Sequence, residues 1–291
     1  WAIAPAYQAA QAAGVRRFIY LSTMCVHGQA PVPGTDESSP LIAKYDFSYN
    51  NAKIYAEQKL LKLRSKGSVE VVIFRPGIVF GPRSRWIRTL ADELLQKTVY
   101  LIQNGQGICN TTYVDNLVHG MELAIAAPEA DGQAFFIGED ERITWADFYQ
   151  PVAEALGISL EQIPSASVPE FKLSQKQRFA SPIWNSVLVQ KSLALVGDDF
   201  KQKLKQSLPR QKKSQPSVSK PPSISQAWKE PVVSREMAAL QQSQYKLPLQ
   251  KAQQLLGYEP LVSWKEANAA CLDWLMKEGY PIQASRMKTS P

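Results

Sequence analysis

The sequence is poor in the side chains that most often hold metals. It has two histidines, His27 and His119, and three cysteines, Cys25, Cys109 and Cys271, none at metal-ligand spacing. That argues against a His- or Cys-built metal centre and leaves three free thiols, as expected in a reducing cytoplasm. Long hydrophobic runs are also missing. The longest, 69–80, is broken by Glu70, Arg75, Pro76 and Gly77, so nothing reaches the length of a bilayer span. No signal-peptide pattern is present, and residues 1–13 read as the interior of a structured protein. Acids are absent from 201–220, which carries Lys201, Lys203, Lys205, Arg210, Lys212, Lys213 and Lys220. These seven charges match the whole net charge of +7, so the rest of the chain is neutral overall. A basic character confined to one segment is not a groove-lining surface, and nucleic acid is not an expected partner.

What is present is enough apolar material for a folded core. Of 291 residues, 45% are hydrophobic and 20% charged, which predicts one or two domains. Residues 2–13 form an Ala-rich helix closed by Gly14. The run 16–22 reads as a strand, and 28–40, with three prolines and two glycines, as a loop. A helix is predicted over 49–63 and a strand over 69–74. That strand shows almost no polar alternation, as in a parallel sheet covered on both faces. Further helices are expected at 87–96, 115–127, 144–156 and 264–277, strands at 99–102 and 134–137, and a turn at 105–107. Asp115 fits the N-cap of its helix. The rhythm predicts a doubly wound α/β domain with a parallel sheet. Residues 209–226, rich in Pro, Ser, Lys and Gln, read as a mobile basic loop, with order resuming near Val232.

Tyr49 and Lys53 stand four apart on the predicted helix and so share a face. A phenol is a poor acid or base at neutral pH, but a neighbouring ammonium favours the phenolate and moves its pKa down. Such a pair suits the interconversion of an alcohol and a carbonyl. Tyr55 and Lys59 repeat the spacing on the same helix, so the pair alone decides nothing. Context favours the first. Ser22 and Thr23 close the 16–22 strand at its C-terminal end, where ligands of open α/β sheets bind. A hydroxyl there can hold a substrate oxygen against a tyrosine.

Several stretches together carry a resemblance. "GVRRFIYLSTMCVHG" (14–28), "YNNAKIYAEQKL" (49–60), "FRPGIVFGPR" (74–83), "YVDNLVHG" (113–120), "GQAFFIGEDERITWADF" (132–148) and "LLGYEPLVSWKEA" (255–267) are similar, in order and spacing, to landmarks of the extended short-chain dehydrogenases, the NAD-dependent epimerase/dehydratase family. The resemblance implies a Rossmann fold with a smaller C-terminal substrate-binding region, and NAD or NADP as cofactor. The dinucleotide-binding part would take 1–80 and 108–130, and the substrate region 81–107 and 131–291. Tyr49 is then the acid/base, and Lys53 its partner, which also holds the nicotinamide ribose. Thr23 orients the substrate, with Ser22 as the alternative hydroxyl. Pro76, Gly77 and Ile78 would line the nicotinamide, and Arg83 and Trp86 would touch substrate. The family's glycine-rich phosphate turn has no match in the sequence, so the first βαβ unit is expected to lie outside it.

The resemblance also bears on substrate. Nucleotide-sugar enzymes of the family usually carry an Asn and an Arg where this sequence has Ile78 and Cys109. No Lys or Arg occurs in 107–112 to meet a diphosphate. The Arg-Pro-Gly form at 75–77 resembles the 3β-hydroxysteroid dehydrogenase-like branch, whose substrates are mainly apolar alcohols and ketones. The alternatives are a nucleotide-sugar epimerase or dehydratase, and a non-catalytic member that binds a dinucleotide or a partner. Members of the family often form homodimers. An apolar stretch ahead of the basic cluster, 183–213, is a pattern for contact with an anionic membrane surface, or for a lid helix and solvated tail.

Overall fold

The computed structural model describes residues 2–43, 48–171 and 220–283. Residues 1–168 and 221–291 belong to one compact unit, and 169–220 to another of which only 169–171 and 220 are described. The 183–213 stretch therefore lies outside the described residues. In chain order the elements begin with α1 (Ile3–Ala12), β1 (Arg17–Leu21), α2 (Ser48–Arg64), β2 (Glu70–Pro76), β3 (Ile78–Phe80), α3 (Arg85–Gln96) and β4 (Leu101–Ile102). They continue with β5 (Thr111–Tyr113), α4 (Val114–Ala126), β6 (Ala134–Ile137), α5 (Trp145–Ala155) and β7 (Ser165–Ala166). The described chain ends in α6 (Arg235–Gln241), α7 (Gln250–Leu256) and α8 (Trp264–Lys277).

β2 is the middle strand of a parallel sheet ordered β1-β2-β6, with Ile19 opposite Val72 and Phe74 opposite Phe135. Its side chains divide between two cores. Val71 and Ile73 pack with Tyr7 of α1 and Leu60 of α2, while Val72 and Phe74 join the larger core with Leu117 of α4 and Phe135. Both faces are covered, which is why the strand shows no polar alternation and why the fold is the expected α/β with a parallel sheet. Two short parallel ladders, β3 with β5 and β4 with β7, complete the strand set among the described residues. They hold two or three residues per strand, too few for any periodicity to show.

Gly77 sits where the chain passes from β2 into β3. A Cβ built there would lie 1.9 Å from the Asn110 carbonyl oxygen, so close approach to the strand leading into β5 demands a glycine. Ser22 N donates to Phe74 O (2.7 Å) and Glu70 N to Arg16 O (2.9 Å), so the even-numbered residues of β1 turn their backbone groups to β2. The odd-numbered ones face outward, and β1 has no strand on that side among the described residues.

One expectation needs correction. Asp115 is not the N-cap of α4. Helical geometry starts at Val114, Tyr113 holds the cap position with no side-chain cap, and Asp115 lies within the first turn, where its charge still suits the helix dipole. The Tyr113 amide is instead satisfied from a distance by the buried Glu139 carboxylate (2.5 Å), which also accepts from the Thr111 hydroxyl (2.6 Å). Of the loop predicted over 209–226 only 220–226 is described, and it has no helix or strand. Ser225 N donates to Leu95 O (2.8 Å) and Lys97 Nζ to Gln226 O (2.7 Å), which ties it to the end of α3. Among the described residues no helix is long and apolar enough to cross a membrane.

Candidate active site

Ser22 and Thr23 follow β1 at the C-terminal end of the sheet. The chain then makes one 3-10 turn, Met24–His27, for which Thr23 is the cap, its Oγ1 accepting from Cys25 N (3.3 Å). Helix α2 is fastened to this turn through Asn50. Its Nδ2 donates to Cys25 O (2.8 Å) and to Gln29 Oε1 (3.1 Å), and Gln29 Nε2 donates to Asn50 Oδ1 (3.4 Å). Tyr49 is the neighbouring residue, so the fastening brings its phenol to the Thr23 hydroxyl, which favours the phenolate form. One turn on, Lys53 Nζ donates to Leu21 O at 2.5 Å and lies 5.7 Å from the Tyr49 ring centroid. That carbonyl is one of the outward-facing groups of β1. Thr23, Tyr49 and Lys53 are thus brought together at one strand end.

Exposure does not distinguish the two Tyr/Lys pairs, since Tyr49 and Tyr55 are 54% and 53% exposed. Contact with Thr23 does. The electrostatics depart from the simple expectation that Lys53 lowers the Tyr49 pKa. Burial pushes the phenol above its ordinary value, Cys25 and Glu236 add to the rise, and Thr23 offsets part of it. Burial also pushes the Lys53 ammonium down, against the pull of Glu57. The ammonium is engaged with the Leu21 carbonyl, and desolvation of the phenol outweighs its influence. In this state Tyr49 holds its proton at neutral pH.

Ser22 is 4% exposed and its hydroxyl has no hydrogen-bond partner among the described residues, an unfavourable arrangement for a buried donor. Pro76 closes β2, and the two residues after it spend their amides inside the fold. Gly77 N donates to Thr112 Oγ1 (3.0 Å) and Ile78 N to Asn110 O (2.7 Å). Arg83 is exposed in the turn ahead of α3, at a φ of 67°. Trp86, half-buried, lines a cavity of about 700 Å³ between α3, α5 and residues 229–237, of which Arg83 is not a lining residue. Leu90, Phe148, Tyr149 and Met237 form its apolar walls. Glu236 also lines it and, after burial as the main cause, adds to the raised pKa values of Tyr49 and of Cys25, the latter pushed up to about 11. Through Glu236 the cavity is within electrostatic reach of Tyr49, although neither Thr23 nor Tyr49 lines it. Sequence reading missed Glu236, because no motif joins residue 236 to residue 49.

Beneath the site runs a buried polar network. Arg75 meets Glu57 of α2 through two bonds, Nε to Oε1 (3.1 Å) and Nη2 to Oε2 (2.6 Å). Its Nη1 donates to Glu37 O (2.8 Å) and contacts His27 Nε2 (3.0 Å). Arginine only donates, so His27 Nε2 accepts and Nδ1 carries the proton toward Pro40 O (3.3 Å). Burial, then Arg75, pushes the His27 pKa down from 6.5 to about 4. A histidine depressed in the folded state is protonated first in the unfolded chain, so its contribution is lost as pH falls from 6.5 toward 4. Glu37, raised by burial, acts in the opposite sense. The thermal midpoint of the wild type should therefore fall across this window by more than that of a His27→Asn variant. Parallel curves for the two proteins would show that His27 is not held neutral.

The sequence profile of the 3-beta hydroxysteroid dehydrogenase/isomerase family matches residues 5–167, more than half of the chain. The chain belongs to that family. A 3 beta-hydroxysteroid dehydrogenase/Delta 5-->4-isomerase of Mycobacterium tuberculosis (strain CDC 1551 / Oshkosh) is 33% identical over 156 residues, which is 51% of this chain and 42% of that protein. A UDP-glucose 4-epimerase of Vibrio cholerae is 29% identical over 156 residues, 52% of this chain and 47% of that protein. The chain spans less than half the length of these relatives. Among solved structures, an epimerase from Methanothermobacter thermautotrophicus superposes with a TM-score of 0.59 at 17% identity, covering 94% of this chain and 63% of that one. A UDP-glucuronic acid 4-epimerase from Bacillus cereus in complex with NAD gives 0.58 at 18% identity, covering 93% and 64%. These likenesses show the shared α/β fold.

Proposed function

We propose that this family member transfers hydride between a nicotinamide cofactor, NAD or NADP, and a secondary alcohol or ketone of a mainly apolar substrate. The observation that carries the reading is the juxtaposition of Thr23, Tyr49 and Lys53 at the end of β1, within electrostatic reach of a cavity lined by aromatic residues. Tyr49 passes the hydroxyl proton to or from the substrate oxygen, Thr23 fixes that oxygen, and Lys53 holds the ribose end of the cofactor. The unpartnered Ser22 hydroxyl is a second group for substrate or nicotinamide to satisfy. When bound, the cofactor supplies or takes the hydride. These residues fit its nicotinamide end, whereas the sequence contains no glycine-rich turn to receive its diphosphate.

The apolar walls favour a substrate of the kind named for the mycobacterial relative over a nucleotide sugar. Ile78 and Cys109, where nucleotide-sugar enzymes usually carry polar or cationic groups, are both buried apolar residues here. The test is a nicotinamide absorbance assay of the full-length protein with 3β-hydroxysteroids, run beside UDP-glucose epimerisation. Cofactor-dependent oxidation of the steroids alone supports the reading. Turnover of UDP-glucose alone, or of neither, overturns it.

A further inference from the structure

Tyr49 can exchange a proton with an oxygen held by Thr23 only while two separate pieces of chain keep their distance. One is the first turn of α2, and the other is the turn that follows β1. The first turn of α2 offers little apolar surface for that purpose. Of residues 48–51 Asn50 alone is buried, and the next buried side chain of the helix is Ile54, one turn on. The join is polar instead. Asn50 and Gln29 are 2% and 3% exposed, and their amides meet in both directions, Asn50 Nδ2 to Gln29 Oε1 (3.1 Å) and Gln29 Nε2 to Asn50 Oδ1 (3.4 Å). Asn50 Nδ2 also reaches Cys25 O (2.8 Å), the carbonyl two residues beyond Thr23.

The surroundings give this pair a task beyond filling space. Cys25 O already accepts from Gly28 N (3.0 Å), so the Asn50 bond is a second one on a carbonyl that its own turn satisfies. The bonds that the turn makes around Thr23 are long, Cys25 N to Thr23 Oγ1 and Val26 N to Thr23 O both at 3.3 Å. The shorter Asn50 bond therefore carries the alignment of that turn with α2. Hydrogen bonds are directional, so a reciprocal amide pair fixes rotation as well as distance. Lys53 is placed by a different contact, its bond to Leu21 O. The amide pair thus acts on the Tyr49–Thr23 geometry and not on the ammonium.

We propose that Asn50 and Gln29 are positioning residues, a buried amide brace that aligns the Tyr49 phenol with the Thr23 hydroxyl for proton transfer. This deepens the oxidoreductase reading and rests on it.

The experiment uses the full-length protein and a 3β-hydroxysteroid. Turnover is followed by nicotinamide absorbance, cofactor affinity by calorimetry and stability by thermal melting. Asn50→Leu keeps the bulk of the side chain and removes every bond of the brace. It should lower kcat by about ten- to hundred-fold, the cost of misplacing a reacting group by about 1 Å, and leave the cofactor Kd unchanged. It also strands the Gln29 amide, which lowers stability. The double variant Asn50→Leu with Gln29→Met strands neither amide, so its melting temperature should recover toward that of the wild type. Its kcat should stay as low as that of Asn50→Leu. A role confined to stability predicts the opposite, that turnover returns with the melting temperature. Wild-type kcat in the double variant, a loss that falls on the cofactor Kd, or a double variant that does not fold would each overturn the brace while the oxidoreductase reading stands. If the wild type itself turns over no steroid, the reading on which the brace rests fails with it.

Discussion

Replacing Tyr49 by Phe in the full-length protein should lower kcat for alcohol oxidation by about two to four orders of magnitude, the usual worth of a positioned acid/base. The loss should fall on kcat more than on KM, because the ring and its packing are kept and only the hydroxyl is removed. Folding should be unaffected, since the residue is half-exposed. Tyr55→Phe is the matching control. It removes a hydroxyl of equal exposure from the same helix, with the same spacing to a lysine, but away from Thr23. It should leave turnover unchanged. The protonated state of the phenol gives the pH dependence. Burial holds the Tyr49 pKa above its ordinary value, so ketone reduction has its proton donor ready at neutral pH, while alcohol oxidation, which needs the base form, should accelerate as pH rises. A Tyr49→Phe protein within ten-fold of wild-type turnover would remove Tyr49 from the mechanism.

The second large effect concerns what holds α2 in place. Glu57 and Arg75 are 1% and 5% exposed, and each is the other's main counter-charge. Glu57→Leu should therefore destabilise by about 3–5 kcal/mol, because it strands a buried guanidinium. At roughly 2–4 °C per kcal/mol for a chain of this size, the thermal midpoint should fall by about 6–20 °C. Arg75→Met should do comparable harm by stranding the carboxylate. The double variant is the decisive comparison. Replacing both partners by apolar groups removes the desolvation cost along with the attraction, and often recovers most of the loss. Arg75 also touches His27 and the Glu37 carbonyl, so recovery here should be incomplete. If the single variants melt with the wild type, the ion pair does not hold the helix. Full recovery in the double variant would assign no role to the other Arg75 contacts.

Much of the fold was legible because its long elements carry one-dimensional signals. The helix expected at 264–277 is α8 to the residue, and 49–63 became α2 with one residue added at each end. Helix α5 was readable despite Pro151, because Thr144 and Asp147 make a reciprocal cap at its start. The strands that were not read, β3, β5 and β7, are too short to show a period and exist through their partners. The Thr23, Tyr49 and Lys53 set proposed for catalysis was legible as a pattern, but the choice between Tyr49 and Tyr55 needed the distant Thr23. Glu236, Glu93 and Tyr149 gave no signal. They line one cavity from separate parts of the chain, and nothing in their local sequence marks that. The electrostatic state of Tyr49 was also beyond sequence, since it depends on how far burial outweighs a lysine already engaged elsewhere.

The one-sided pairing of β1 has a consequence for hydrogen exchange. The amides of Phe18, Tyr20 and Ser22 point into the ladder with β2 and should exchange slowly, on the timescale of sheet opening. Those of Arg17, Ile19 and Leu21 point the other way and should exchange readily, giving an alternating pattern over residues 17–22. The same alternation makes β1 a reporter. Slow exchange at the odd-numbered amides would mean that another strand has paired along this edge, next to the carbonyl that receives Lys53.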